Sequence, residues 1–202
     1  MKKIKPNKKV YILCMLFSLI ASTLVSAEND PYYIGISMGP AFEQLDETEA
    51  SQHMVRSSAL DFDNSFCFQL RAGYIKNSYL TGEASIEYLF PFEAESEREI
   101  VEFDVLHLAF QSKLTYQKTG PIHPYALIGL GLINSQMKVK LKWNNTSIKD
   151  SEWGLSAKLG AGVDIYITPN IFSHIELNLT KGLGNVDYIQ YPAFVLGGNY
   201  RF

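Results

Sequence analysis

YIQYPAFVLGGNYRF, residues 188–202, is the stretch on which the fold turns. From Phe194 the apolar side chains fall on alternate positions, Phe194, Leu196, Tyr200 and Phe202, while Val195, Gly197, Asn199 and Arg201 form the other row. A period of two is that of a strand with two unlike faces. A strand that ends on an aromatic residue with no polar tail suits a closed membrane barrel, whose last strand pairs with its first and leaves no edge.

Seven more strands are predicted upstream. The first sets Tyr32, Ile34, Ile36 and Met38 against Tyr33, Gly35, Ser37 and Gly39. The second, residues 65–76, places Phe66, Phe68, Leu70, Ala72 and Tyr74 on one face and Cys67, Gln69, Arg71 and Gly73 on the other. Residues 79–92, 100–117, 124–137, 153–167 and 171–180 supply the next five. The sixth is the most regular, with Leu155, Ala157, Leu159, Ala161, Val163 and Ile165 opposite Ser156, Lys158, Gly160, Gly162 and Asp164. In the fourth, the alternation slips between Val105 and Leu106, which predicts a bulge or a strand projecting beyond the membrane. The fifth is apolar on both sides from Ala126 to Leu132, so its faces stay unassigned.

Short turns at Lys76-Asn77-Ser78, Lys118-Thr119-Gly120 and Thr168-Pro169-Asn170 alternate with four longer loops. The first two loops, over residues 41–64 and around Glu93, Glu95, Glu97 and Glu99, are acidic. The third, about residues 138–152, is basic through Lys138, Lys140, Lys142 and Lys149, and the fourth covers about 182–187. Such alternation predicts an all-β, eight-stranded, antiparallel up-and-down transmembrane barrel with both termini in the periplasm. Eight strands enclose an interior just wide enough for side chains to fill, which argues against a general diffusion pore.

The N-terminus explains how such a chain would leave the cytoplasm. Five lysines, Lys2, Lys3, Lys5, Lys8 and Lys9, precede an apolar run and the small residues Val25-Ser26-Ala27, the layout of a secretory signal peptide cleaved after Ala27. Residues 1–27 are thus the expected signal and 28–202 the barrel domain. Without the signal, 13 basic side chains face 21 acidic ones, a net charge near −8 that makes nucleic acid an unsuitable partner. Cys14 leaves with the signal, so Cys67 has no partner for an internal disulfide.

The inward rows collect Arg71, Lys113, Lys158 and Arg201 together with Glu83, Glu87, Asp164 and Glu176, four charges of each sign. In a narrow lumen such charges are tolerable only when paired. This predicts a neutral, plugged interior and assigns recognition to the loops. His107, His174 and Cys67 are read as interior packing or hydrogen-bonding groups. No cofactor or metal motif is present: Gly129-Leu-Gly131, Gly160-Ala-Gly162 and Gly182-Leu-Gly184 each lack the third glycine of a dinucleotide fingerprint.

Three segments resemble the small eight-stranded outer-membrane barrels of the OmpA, OmpX and opacity-protein type. They are Pro124-Tyr125-Ala126-Leu127-Ile128-Gly129-Leu130-Gly131, Gly160-Ala161-Gly162-Val163-Asp164 with the Thr168-Pro169-Asn170 turn, and Gly198-Asn199-Tyr200-Arg201-Phe202. The resemblance implies a bacterial outer-membrane protein lying in lipid. It also implies that Tyr200 and Phe202 form a C-terminal assembly signal read by the barrel-insertion machinery. The loops would then serve envelope integrity, adhesion or contact with host or surface ligands.

A narrow, porin-like carrier of small solutes is the alternative. A lipid hydrolase is the third reading, since some small barrels of this kind act on lipids through a Ser and a His two residues apart on one face. Here Ser173 and His174 are adjacent and point to opposite faces, and Ser51 with His53 lies in an acidic loop. The protein is accordingly expected not to be an enzyme.

Overall fold

The computed structural model describes residues 31–42, 65–95, 99–116, 120–141 and 147–202. The expected signal peptide, nearly all of the first acidic loop and the tips of the second and third loops fall outside the described residues. Eight strands run in chain order: β1 (Tyr32–Ala41), β2 (Ser65–Ile75), β3 (Leu80–Glu95), β4 (Glu99–Thr115), β5 (Ile122–Leu141), β6 (Ser147–Tyr166), β7 (Ile171–Leu183) and β8 (Gln190–Arg201). Each pairs antiparallel with its sequence neighbours, and β8 pairs with β1 to close the sheet into a barrel. The closing register sets Tyr33 opposite Arg201 and Met38 opposite Leu196, and the Phe202 amide donates to the Tyr32 carbonyl at 3.1 Å.

Side chains explain why the sheet closes with its polar row inside. Outward positions such as Ile36, Leu155, Leu159, Leu177 and Leu196 are exposed and apolar, whereas Arg71, Glu87, Lys158 and Glu176 point inward and are buried. In lipid this inversion is favourable, because apolar surface meets hydrocarbon and every backbone group is paired within the closed sheet. Exposed rings gather near each end of the outer wall. Tyr32, Tyr74, Tyr79, Tyr116 and Tyr200 lie at the turn end, with Phe42, Phe66, Phe90 and Trp153 toward the loops. These are the interfacial positions that suit an aromatic ring in lipid.

Local chemistry fixes the turns. The Asn77 Oδ1 accepts from the amides of Tyr79 and Leu80 at 2.9 and 2.8 Å, closing the β2–β3 turn. In the β6–β7 turn the Thr168 Oγ1 accepts from the Ile171 amide at 3.0 Å.

The structure corrects the strand lengths. β5 and β6 contain 20 residues each and β4 contains 17. A tilted membrane strand needs only ~9–11 residues. Most of the expected third loop is therefore strand: Lys138 lies opposite Lys149, and Lys140 opposite Ser147. The second loop shrinks likewise, with Glu93 opposite Glu102 and Glu95 opposite Ile100. Together β3 to β6 raise a four-stranded wall on one side of the mouth, beyond the shorter β1, β2, β7 and β8.

The slip expected in strand four has a different origin. The register irregularity lies on β3, between Leu89 and Phe92, where Phe90 and Pro91 stand against Asp104 alone. Pro91 cannot donate to a ladder, so the extra residue falls where a donor is missing. β4 itself keeps one phase, with Phe103, Val105, His107, Ala109, Gln111 and Lys113 all buried. Its sequence pattern breaks because the lumen it lines changes from apolar to polar. β5 also resolves, sending Tyr125, Leu127, Gly129 and Ile133 inward and Ala126, Ile128, Leu130 and Leu132 outward.

Candidate functional site: the lumen and the projecting wall

The lumen has two storeys. Toward the turns it is polar and charged. Arg71 donates from Nη1 to Glu176 at 3.1 Å and lies 3.9 Å from Glu83, and Nη2 reaches Gln69 at 2.6 Å. Lys113 contacts Asp164 at 2.6 Å and sits 3.8 Å from the centre of the Tyr125 ring. Lys158 donates to Glu87 at 2.8 Å. Tyrosines and amides satisfy the remaining carboxylate oxygens: Tyr33 and Gln111 donate to Glu83, Tyr125 and Asn178 to Glu176, and Tyr191 to Glu87. Arg71, Glu176 and Glu87 are thus held by hydrogen bonds as well as by a counter-ion, the condition under which buried charge is tolerated.

Register explains why residues so distant in sequence meet. Gln69 stands beside Glu87, Glu87 beside His107, and His107 beside Ile133, so one inward row continues from strand to strand around the wall. Glycines in the inward row make room for the long side chains. A Cβ on Gly131 would lie 2.6 Å from the His107 Nε2 and 2.9 Å from the Ser156 Oγ.

Arg201 does not join this network. It is half-buried at the turn end, its carbonyl accepts from the Asn170 side chain at 2.9 Å, and among the described residues it forms no ion pair. At the rim the guanidinium has access to water, which is a better partner than the interior. The interior charges are therefore Arg71, Lys113 and Lys158 against Glu83, Glu87, Asp164 and Glu176. Glu83 is the carboxylate without a close cation of its own. Beside it, a cavity with room for about one water molecule opens toward the turns, lined by residues that include Lys113, Asp164, Thr81 and His123.

Toward the loops the lumen is apolar. Cys67, Leu89, Phe103, Val105, Ile133 and Val195 form one buried cluster with Val186 and Ile189 from the β7–β8 connection. This storey was not read from the sequence. Its signal was present in the odd-numbered row Val101, Phe103, Val105, but that row looks like a lipid face when read alone.

The structure also unites residues that spacing kept apart. His107 Nε2 lies 2.8 Å from Ser156 Oγ, and His107 Nδ1 lies 4.0 Å from Glu87, an order formally similar to a hydrolase triad. All three side chains belong to residues no more than 1% exposed. A substrate cannot reach a nucleophile enclosed in this way, so the group reads as part of the polar interior. His174, read as an interior hydrogen-bonding group, meets the Asn199 amide at 2.8 Å.

Lys138, Lys140 and Lys149 of the expected third loop occupy strand positions. Lys138 Nζ lies 3.4 Å from Asp104, and its backbone stands opposite Lys149. Lys142 lies outside the described residues. At the C-terminus, Tyr200 is 49% exposed, and its ring meets Phe202 edge-on at 5.2 Å.

Solved structures share this architecture. Neisserial surface protein A superposes with a TM-score of 0.58 at 16% identity, covering 87% of this chain and all of that one. Ail, the attachment invasion locus protein of Yersinia pestis, gives 0.54 at 18% identity with the same coverage of both chains. A second structure of Ail, in complex with the heparin analogue sucrose octasulfate, gives 0.52 at 21% identity over 85% of this chain and 99% of that one. These likenesses establish the fold. Sequence comparison with curated proteins finds no match. The model of the outer membrane protein beta-barrel domain matches residues 11–202, so the chain belongs to that family of bacterial outer-membrane barrels.

Proposed function

We propose that the protein is a non-enzymatic surface protein, whose barrel anchors a projecting sheet and loops for contact with ligands outside the cell. The observation that carries this reading is the wall itself. β5 and β6 are 20 residues long, about twice what the membrane requires, so roughly half of each strand extends beyond it. A transport function would call for a water path, and ion pairs and apolar side chains meet across the lumen instead. Both termini lie in the periplasm on this reading, which places the wall outside.

An anionic polysaccharide is the ligand class the wall suits best. Its β5–β6 ribbon carries Lys138, Lys140 and Lys149, with Lys138 opposite Lys149 in the register, a run of cations that an anionic chain could meet. A sulfated or phosphorylated saccharide carries its anions at intervals along an extended chain, as such a run requires. Binding of a heparin analogue by Ail supports the choice by analogy of fold.

The test is adhesion of cells displaying the protein to a heparin-coated surface. Cells with the K138E/K140E/K149E chain, matched for surface amount, should lose most of the adhesion, and higher salt should weaken wild-type binding. Equal adhesion of both strains would refute the ligand class, and no adhesion to polysaccharide, matrix protein or cells would refute the function.

A further inference from the structure

Val186 and Ile189 are 0% and 2% exposed, although Gly184, Asn185 and Asp187 around them are exposed. A short connection at a barrel mouth normally runs over the surface. Here it turns inward. Gly184 adopts a φ of 69°, open to glycine without penalty, and starts a single 3-10 turn. The Asp187 amide then donates to the Gly184 carbonyl at 3.3 Å, the Ile189 amide to Val186 at 3.1 Å, and the Gly182 amide to Ile189 at 2.8 Å.

The wall is cut away to receive this turn. A Cβ on Gly154 of β6 would lie 2.1 Å from the Val186 Cγ2, and one on Gly182 of β7 would lie 1.8 Å from the Val186 carbonyl oxygen. These glycines sit on adjacent strands, with Gly182 opposite Ser156, two residues from Gly154. No other residue type fits either position while Val186 stays in place. Val186 and Ile189 then pack into the cluster that holds Cys67, Leu89 and Val105.

We propose that the β7–β8 connection is a stopper, with Val186 seated in the notch made by Gly154 and Gly182, and that exclusion of external water from the lumen depends on its seating. Below it the register sets Cys67 beside Leu89, and Leu89 beside Val105, one step above the row that begins at Gln69 and Glu87. Unseating the stopper exposes the apolar storey first. No conductance step follows, because the charge network still occupies the middle of the barrel. The inference rests on the reading that puts the loop end outside the cell.

Cys67 is a native reporter for the test, being a fully buried thiol in the same cluster. Intact cells are treated with a membrane-impermeant maleimide, and modification of Cys67 is followed in three chains. In the wild type Cys67 should stay unmodified. The V186A/I189A chain removes the stopper's side chains, and the G154L chain fills the notch and expels the connection by the opposite route. In both, Cys67 should react about tenfold faster or more, since thiol reactivity follows access.

Only barrels that keep heat-modifiable mobility are scored. Folded variants whose Cys67 is as protected as in the wild type would overturn the proposal. On the unaltered protein, hydrogen exchange supplies an independent check. The Gly182 and Ile189 amides should be as protected as those of the strands, and exchange at the rate of an open loop would also overturn the stopper. Modification only by reagent delivered to the periplasm would fault the orientation and leave the stopper standing, and loss of polysaccharide adhesion would bear on neither.

Discussion

Lys158 and Glu83 show how differently two buried charges of one lumen are supported. Lys158 is 0% exposed and donates to Glu87 at 2.8 Å, so Lys158→Ala leaves Glu87 buried without its cation. Breaking such a pair from one side costs about 3–5 kcal/mol. Glu83 has its nearest cation, Arg71, at 3.9 Å, and that guanidinium is committed to Glu176 at 3.1 Å. Glu83→Gln keeps the size and an acceptor oxygen while removing the carboxylate that exceeds the cations. We expect it to change stability by less than about 1 kcal/mol, in either direction. Denaturant titrations of both variants in detergent micelles, followed by heat-modifiable mobility, compare the two. A Glu83→Gln loss as large as that of Lys158→Ala would mean that Glu83 is an essential member of the ion-pair network.

At the scale of elements, the strands were legible in sequence wherever lipid and lumen impose opposite chemistry. Along their membrane portions β2, β6 and β7 alternate because outward residues meet hydrocarbon and most inward ones are polar or glycine. The same rule hid the faces of β5, where Leu127 and Ile133 fill the lumen as apolar residues and imitate the outer face. It also hid the wall, because charged strands beyond the membrane look like loops: Glu93, Glu102, Lys138 and Lys149 stand in one register line across four strands. The network partners could be listed but not paired, since pairing depends on register, which no short window contains. Arg201 was misplaced for a related reason. Alternation gives a face but not a depth, and at the last residue of a strand depth decides whether water is near.

Two predictions belong to these elements. Removing residues 138–149 and joining the strands with a two-residue turn should leave a heat-modifiable barrel, because the membrane portion of β5 and β6 keeps its pairing, and should abolish polysaccharide adhesion. Retained adhesion would place the binding surface on another loop. Deleting Phe202 should lower the amount of folded barrel in the outer membrane without altering the behaviour of barrels that do fold. Its amide ties the end of β8 to the Tyr32 carbonyl and its ring packs on Tyr200, so the last closing hydrogen bond and the proposed assembly signal are lost together. Normal outer-membrane levels of the shortened chain would count against that role.

For the whole molecule, the number of strands and the contents of the lumen lead to the same expectation. Eight strands leave an interior that side chains can fill. Here the filling is of two kinds: ion pairs near the turns, where opening a path costs several kcal/mol per separated charge, and a dry apolar cluster near the loops, which gives an ion no ligands. On the proposed reading either one alone obstructs solutes, and they lie in series along one axis. Purified protein in planar bilayers should therefore show no large, stable conductance, and vesicles containing it should not swell in solutions of small sugars. Removing the Lys158–Glu87 pair in K158M/E87Q should leave the bilayers silent, because the Arg71–Glu176 and Lys113–Asp164 pairs and the apolar storey remain. Combining that change with V186A/I189A thins both layers without emptying either, since the Arg71–Glu176 and Lys113–Asp164 pairs and the cluster around Leu89 and Val105 remain, and should still give no steady conductance. Steady, solute-permeable conductance by the unaltered protein would instead identify a channel, and the wall would then be read as the vestibule of a pore.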